Sequence, residues 1–215
     1  MSIIVKNRLF TLNTANSTYQ FTADAYGIFR HLYYGARVDN TDFSYLVQQR
    51  DRGFSGNPAD AGDDRTLSFD TLPLEYPVYG CGDYRESCLA VTHPDGSRAL
   101  DLRFEDYSVF QGKPELAGLP ASIADLKTES LQVRLRDLVS GLSVCLTYAV
   151  FAEKDVIARS VRIENHGEKP ITLDRVLSCC LDFFQPAARD MMLFYGRHAG
   201  ERNVQRGPIL HGKLR

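Results

Sequence analysis

The chain has 215 residues, 44% hydrophobic and 24% charged, with 25 basic against 27 acidic side chains and a formal net charge of -2. That length suits one large domain or two small ones, with a core that needs no disulfide staples. The balanced charge gives no reason to expect nucleic acid or an anionic membrane as partner. A mean hydropathy of -0.25 without a long apolar run argues against a transmembrane helix.

The first ten residues, MSIIVKNRLF, lack the charged region and sustained apolar stretch of a secretory signal. Five cysteines follow, at 81, 88, 145, 179 and 180, an odd number with no CxxC pair. Adjacent Cys179 and Cys180 are expected on opposite faces of a strand. A disulfide framework or zinc site is not expected, and free thiols in a reducing cytoplasm are.

Along the chain, period-two alternation dominates. Tyr26, Phe29, Tyr33, Tyr34 and Tyr76 could stack on sugar rings, but such residues are also ordinary strand formers, and core or sheet surface is the reading preferred. Residues 48–70, QQRDRGFSGNPADAGDDRTLSFD, break the rhythm. A stretch this long, rich in Gly and Asp and without apolar period, is a functional or mobile loop. Its carboxylates and guanidinium groups can bond vicinal hydroxyls, Asp as acceptor and Arg as forked donor. Asp83, in YGCGDYR, is expected to hold a turn rather than a sugar. After the turn Pro94-Asp95-Gly96, Leu100, Leu102 and Phe104 alternate with polar residues as a strand. Leu131, Val133 and Leu135 do the same, as do Leu142, Val144, Leu146 and Tyr148, with a turn at 137–141 between them. Ile171 and Leu173 follow a further turn at 165–167. No apolar stripe of helical period runs for three turns, so the expected fold is all-β, a large antiparallel sandwich. The last segment, 185–215, carries Arg189, Arg197, Arg202, Arg206, Lys213 and Arg215 against Asp190 and Glu201, a local +4 that leaves -6 elsewhere.

The chemistry-bearing residues form no motif on their own. His31, His93, His166, His198 and His211 are scattered without metal-ligand spacing, and His93 and His166 fall in turns. There is no nucleophile elbow, Walker loop or dinucleotide fingerprint, so no cofactor is implied. A glycosidase needs two facing carboxylates, which sequence spacing cannot establish.

Several segments taken in order carry a resemblance. They are HLYYG at 31–35, DRGFSGNP from Asp51, EYPVYGCGDYR at 75–85, GKPELAGLPA at 112–121, VIARSVRIEN at 156–165 and GRHAGERNVQRGPILHGK at 196–213. Together they resemble the amino-terminal part of bacterial α-galactosidases of glycoside hydrolase family 36. The resemblance implies a β-supersandwich like that of galactose mutarotases, truncated within residues 1–215, ahead of a catalytic barrel. That barrel holds the family's nucleophile and acid/base aspartates, so no residue of this chain is assigned either role. It further implies a retaining hydrolase of terminal α-galactosides of melibiose or raffinose type, a homo-oligomer (tetramer or dimer), with this part supplying scaffold and oligomer contacts. By the D-R-x-F-S-x-N-P and D-R-T-x-S-x-D patterns, Asp51 and Arg65 match loop residues that reach the sugar pocket of a neighbouring subunit. The stretch between them is slightly longer than the family's, and His198 stands where the family tends to hold Trp, a change expected to soften a packing contact. Two other readings are a free-standing carbohydrate-binding module, which would have to build its platform without Trp, and a mutarotase-like epimerase. The epimerase would need an acid and a base facing each other, such as His31 beside a glutamate.

Overall fold

The computed structural model describes residues 2–39, 41–51, 56–118, 121–183 and 190–208. Part of the loop motif (52–55), Arg189, and His211, Lys213 and Arg215 of the last segment lie outside these. The chain divides into two compact units, Met1–Leu181 and Asp182–Arg215.

The first unit is built from antiparallel strands, and among the described residues there is no α-helix, only three short 3-10 turns. Strands β1 (Ile3–Lys6), β2 (Leu9–Asn13), β3 (Ser17–Ala23) and β4 (Phe29–Ala36) form one sheet in sequence order. A pair comes from β5 (Leu89–Thr92) and β10 (Thr172–Val176). The second four-stranded sheet, also in sequence order, holds β6 (Arg103–Gln111), β7 (Glu129–Arg136), β8 (Leu142–Phe151) and β9 (Val156–Asn165). Both large sheets are meanders of hairpins, as the alternation and turn chemistry dictate.

Their inner faces make one core. Phe10, Leu12, Tyr19 and Phe21 from the first sheet pack with Leu131, Val133, Leu135, Val144, Leu146 and Tyr148 from the second. The Phe21 and Tyr148 rings stack across the layers at 4.8 Å. The register puts Val144 opposite Ile163, Leu146 opposite Val161, Tyr148 opposite Arg159 and Val150 opposite Ile157. Arg159 therefore stands in a row of inward apolar residues. A sandwich of two antiparallel sheets is the fold expected.

Three details differ from the expected pattern. The strand after the 94–96 turn begins at Arg103, because Leu100 and Leu102 are buried in an irregular approach where the Leu100 N–H bonds Tyr79 O at 2.9 Å. Cys179 and Cys180 lie beyond β10 on no strand, although they still diverge: Cys180 packs against the core and Cys179 is exposed. All ten residues of β8 are buried, including the outward Ser143, Cys145 and Thr147, since β8 lies between β7 and β9 and their side chains lean over it: Gln132 Nε2 is 3.3 Å from the Thr147 hydroxyl and Glu164 Oε2 is 3.9 Å from Cys145 Sγ. Residues Lys113, Leu116, Ala121 and Ser122 share a cavity of about 140 Å³ with Thr147 and Ala149.

The second unit, taken alone, contains the hairpin of β11 (Asp190–Arg197) and β12 (Gly200–Pro208). His198 sits at its tip, fully exposed and 3.8 Å from Glu201. The packing contact expected to soften there is not made within the described residues of this chain.

Candidate functional site

Two groupings of chemistry-bearing residues stand out, one buried and one exposed. The buried one centres on Glu75, which is 0% exposed. Its carboxylate accepts from Tyr19 Oη at 2.6 Å, Tyr148 Oη at 2.8 Å and Arg159 Nη1 at 2.6 Å. Arg159 Nη2 also donates to the Glu75 carbonyl at 3.3 Å. His31 Nδ1 stands 3.5 Å from Oε2. Burial pushes the Glu75 carboxyl up, but the Arg159 guanidinium, with His31 and Tyr19, outweighs it and holds the group below its usual range. Burial, reinforced in each by Glu75, raises both phenols, so Tyr19 and Tyr148 act as donors. An acid beside a base thus exists, as the epimerase reading requires. Yet Glu75 and His31 are 0% and 1% exposed, and no sugar can reach them. The cluster is an ionic pin between the two sheets, with Tyr19 and His31 from one and Tyr148 and Arg159 from the other.

The exposed grouping is the loop of residues 48–70. It is not the wholly solvated stretch that its composition suggests. Ala61, Leu67 and Phe69 are buried with Ile28, Leu72 and Leu74 in a second small core. Within the loop, Asn57 Nδ2 donates to Asp64 O at 2.8 Å, and the Ser68 hydroxyl lies 3.2 Å from Gly56 O. The Asp64 carboxylate accepts from the N–H and hydroxyl of Thr66 at 2.9 and 2.6 Å, which lowers its pKa. Arg103 on β6 tethers the loop from outside, donating to Asp60 Oδ2 at 3.1 Å while its guanidinium lies over the Phe69 ring.

This frame carries Arg65, and it brings Asp51 and Arg65 together. Arg65 Nη2 lies 3.4 Å from Asp51 Oδ1, with the side chains 59% and 56% exposed. An exposed pair of this kind contributes about 0–1 kcal/mol to stability. The second core and the backbone bonds hold the loop around Arg65, and the pair sets a carboxylate acceptor beside a forked donor on an exposed side of it.

The other singled-out residues have structural places. Asp83 is 2% exposed and holds a turn, accepting from the Arg85 N–H at 3.0 Å. Phe29 and Tyr76 are core, and Tyr33 stacks on Phe43 at 4.2 Å. His93 and His166 occupy turns beside β5 and β9. No disulfide joins any of the five cysteines. Among the described residues no group of three or more His, Cys, Asp or Glu could hold a metal ion. No helix there is long and apolar enough to cross a membrane.

Of the Glu75 cluster the sequence singles out only His31, as the possible neighbour of a glutamate; Glu75, Arg159, Tyr19 and Tyr148 are not marked as a group. One signal was present: in VIARSVRIEN, Arg159 interrupts the apolar alternation Ile157, Val161, Ile163.

Comparison with known proteins places this arrangement. The glycosyl hydrolase family 36 N-terminal domain matches residues 27–215. The chain belongs to this family. The bifunctional alpha-galactosidase/sucrose kinase AgaSK of Mediterraneibacter gnavus is 46% identical over 96% of this chain, which is 22% of that protein. The solved galactosidase domain of AgaSK superimposes with a TM-score of 0.92 over 98% of this chain and 29% of that one. A variant of the family 36 alpha-galactosidase AgaA from Geobacillus stearothermophilus, solved in complex with raffinose, gives a TM-score of 0.86 at 35% identity over 94% of this chain and 28% of that one. The family 36 domain thus spans about a quarter of the length of the relatives it matches.

Proposed function

We propose that this chain is the non-catalytic amino-terminal part of a retaining α-galactosidase acting on terminal α-galactosides of melibiose or raffinose type. In this reading the sandwich is scaffold and oligomer surface. The loop of residues 48–70 presents Asp51 and Arg65 to galactose hydroxyls, in the pocket of a neighbouring subunit of a dimer or tetramer. The observation that carries it is the pairing of these two exposed side chains at 3.4 Å on an internally braced loop of a family 36 amino-terminal domain. A reducing cytoplasm belongs to the same proposal, supported by an odd set of five cysteines that form no disulfide.

The test is kinetic. In the full-length protein, Asp51→Ala and Arg65→Ala raise KM for raffinose about tenfold, the worth of one charged hydrogen bond of about 1.4 kcal/mol. Purified residues 1–215 turn over no aryl α-galactoside. Turnover by that fragment, or unchanged KM in both variants, overturns the reading. Light scattering on the full-length protein checks the oligomer.

A further inference from the structure

The loop that carries Arg65 is gripped at both feet by one segment, residues 80–85. At the first foot, Gly82 sits so close that a Cβ there would lie 3.3 Å from Gly56 O. Its φ of +89° is one that L side chains rarely adopt. At the second foot, Arg85 Nη2 lies 2.6 Å from Leu72 O and 3.1 Å from Phe69 O. Arg85 is itself aimed by the buried Asp83 carboxylate, which accepts from Nε at 2.9 Å and from Nη2 at 3.0 Å. The planar guanidinium serves both tasks at once: Nε and one Nη2 N–H fork onto the carboxylate, and the second Nη2 N–H is shared between the two carbonyls.

Between the two feet the chain is closed on itself. Ser68 meets Gly56 O, and Asn57 bonds the carbonyl of Asp64, the residue before Arg65. A shift at Phe69 is therefore passed to Arg65 through a short hydrogen-bonded ring rather than absorbed by slack chain.

We propose that Asp83 and Arg85 are positioning residues for the galactoside site: they set where Arg65 stands and so tune galactoside affinity without touching the sugar. The inference rests on the loop reading above. Misplacing a contact group by about 1 Å is enough to lose up to a hundredfold.

The experiment uses the full-length protein and raffinose, with Arg85→Met, the milder Arg85→Lys, Asp83→Asn and Arg65→Ala. Arg85→Met and Asp83→Asn are expected to raise KM about tenfold with kcat changed less than twofold, and Arg85→Lys to show a smaller rise. Adding Arg85→Met to Arg65→Ala is expected to raise KM no further, because both changes remove the same contact. A residue that merely supported folding would lower the active fraction, so kcat would fall at constant KM. If Arg65→Ala raises KM and Arg85→Met does not, the positioning role fails and the loop reading stands; if neither raises it, both fail. Amide exchange gives an activity-free readout. Residues 57–68 are expected to exchange at least tenfold faster in Arg85→Met while β8 keeps its protection. Unchanged exchange in the loop overturns the clamp.

Discussion

The Glu75 pin can be tested by removing its cation. Arg159→Met keeps the length and apolar stem of the side chain, and much of its contact with the Tyr148 ring, over which the guanidinium carbon lies at 5.0 Å. It leaves a fully buried carboxylate facing two phenols and His31. Breaking a buried pair by removing one partner costs about 3–5 kcal/mol. For a protein above 150 residues each kcal/mol moves Tm by about 2–4 °C, so a fall of about 10 °C is expected by circular dichroism. The double variant with Glu75→Gln is expected to recover more than half of this, because it removes the uncompensated charge and keeps an amide for the hydroxyl donors. The pH dependence separates charge from packing. In the wild type, the Glu75 carboxyl is held below its ordinary value of 4.5, so its contribution is fully present above that value and lost as pH falls through the lower folded one. In Arg159→Met, burial dominates and raises the group, so the variant sheds its penalty by protonating as the pH drops. The gap between the two proteins must therefore narrow below about pH 5. A loss under about 1 kcal/mol, or a gap that ignores pH, would refute the account of the cluster as an ionic pin.

Three further outcomes follow from the geometry. Asp51→Ala and Arg65→Ala change Tm by less than about 2 °C, since an exposed pair contributes little, while KM rises; a large stability loss would make the pair structural. Gly80→Ala costs about 2 kcal/mol or more in urea unfolding, because φ there is +122° and the new Cβ would lie 2.6 Å from the Ala99 Cα. Cys81 resists alkylation at pH 8 while exposed Cys179 reacts, because burial, helped by Asp101, pushes the Cys81 thiol up to about 12; mass mapping that finds Cys81 modified first would sink this.

How far the sequence reached depends on the range of the physics involved. The β7–β8 hairpin was legible because alternation and the turn at 137–141 are local and agree with each other. The burial of Ser143, Cys145 and Thr147 was not, since it comes with side chains of the flanking strands such as Gln132 beside Thr147 and Glu164 beside Cys145. Asp51 and Arg65 were found through a family pattern, and only the fold brings them within 3.4 Å. Of the Glu75 cluster only His31 beside a glutamate was named, because the partners Tyr19, Tyr148 and Arg159 lie 56, 73 and 84 residues away from Glu75. The inward-facing arginine in β9 was the one local trace of it.

The two groupings also differ in what holds them, and this bears on where function resides. The buried cluster sits where low dielectric makes each charge costly unless paired, so the bonds that converge on the Glu75 carboxylate from both sheets fix how the sheets meet. The Asp51–Arg65 pair sits where water screens it, so it adds little to stability and its placement must come from elsewhere. That placement traces back through Asp64 and Asn57 to the feet of the loop, and from there to Arg85 and the buried Asp83. On the proposed function, the sandwich shapes the sugar site from a distance, because it fixes the loop at its feet and leaves the Asp51–Arg65 pair polar and exposed.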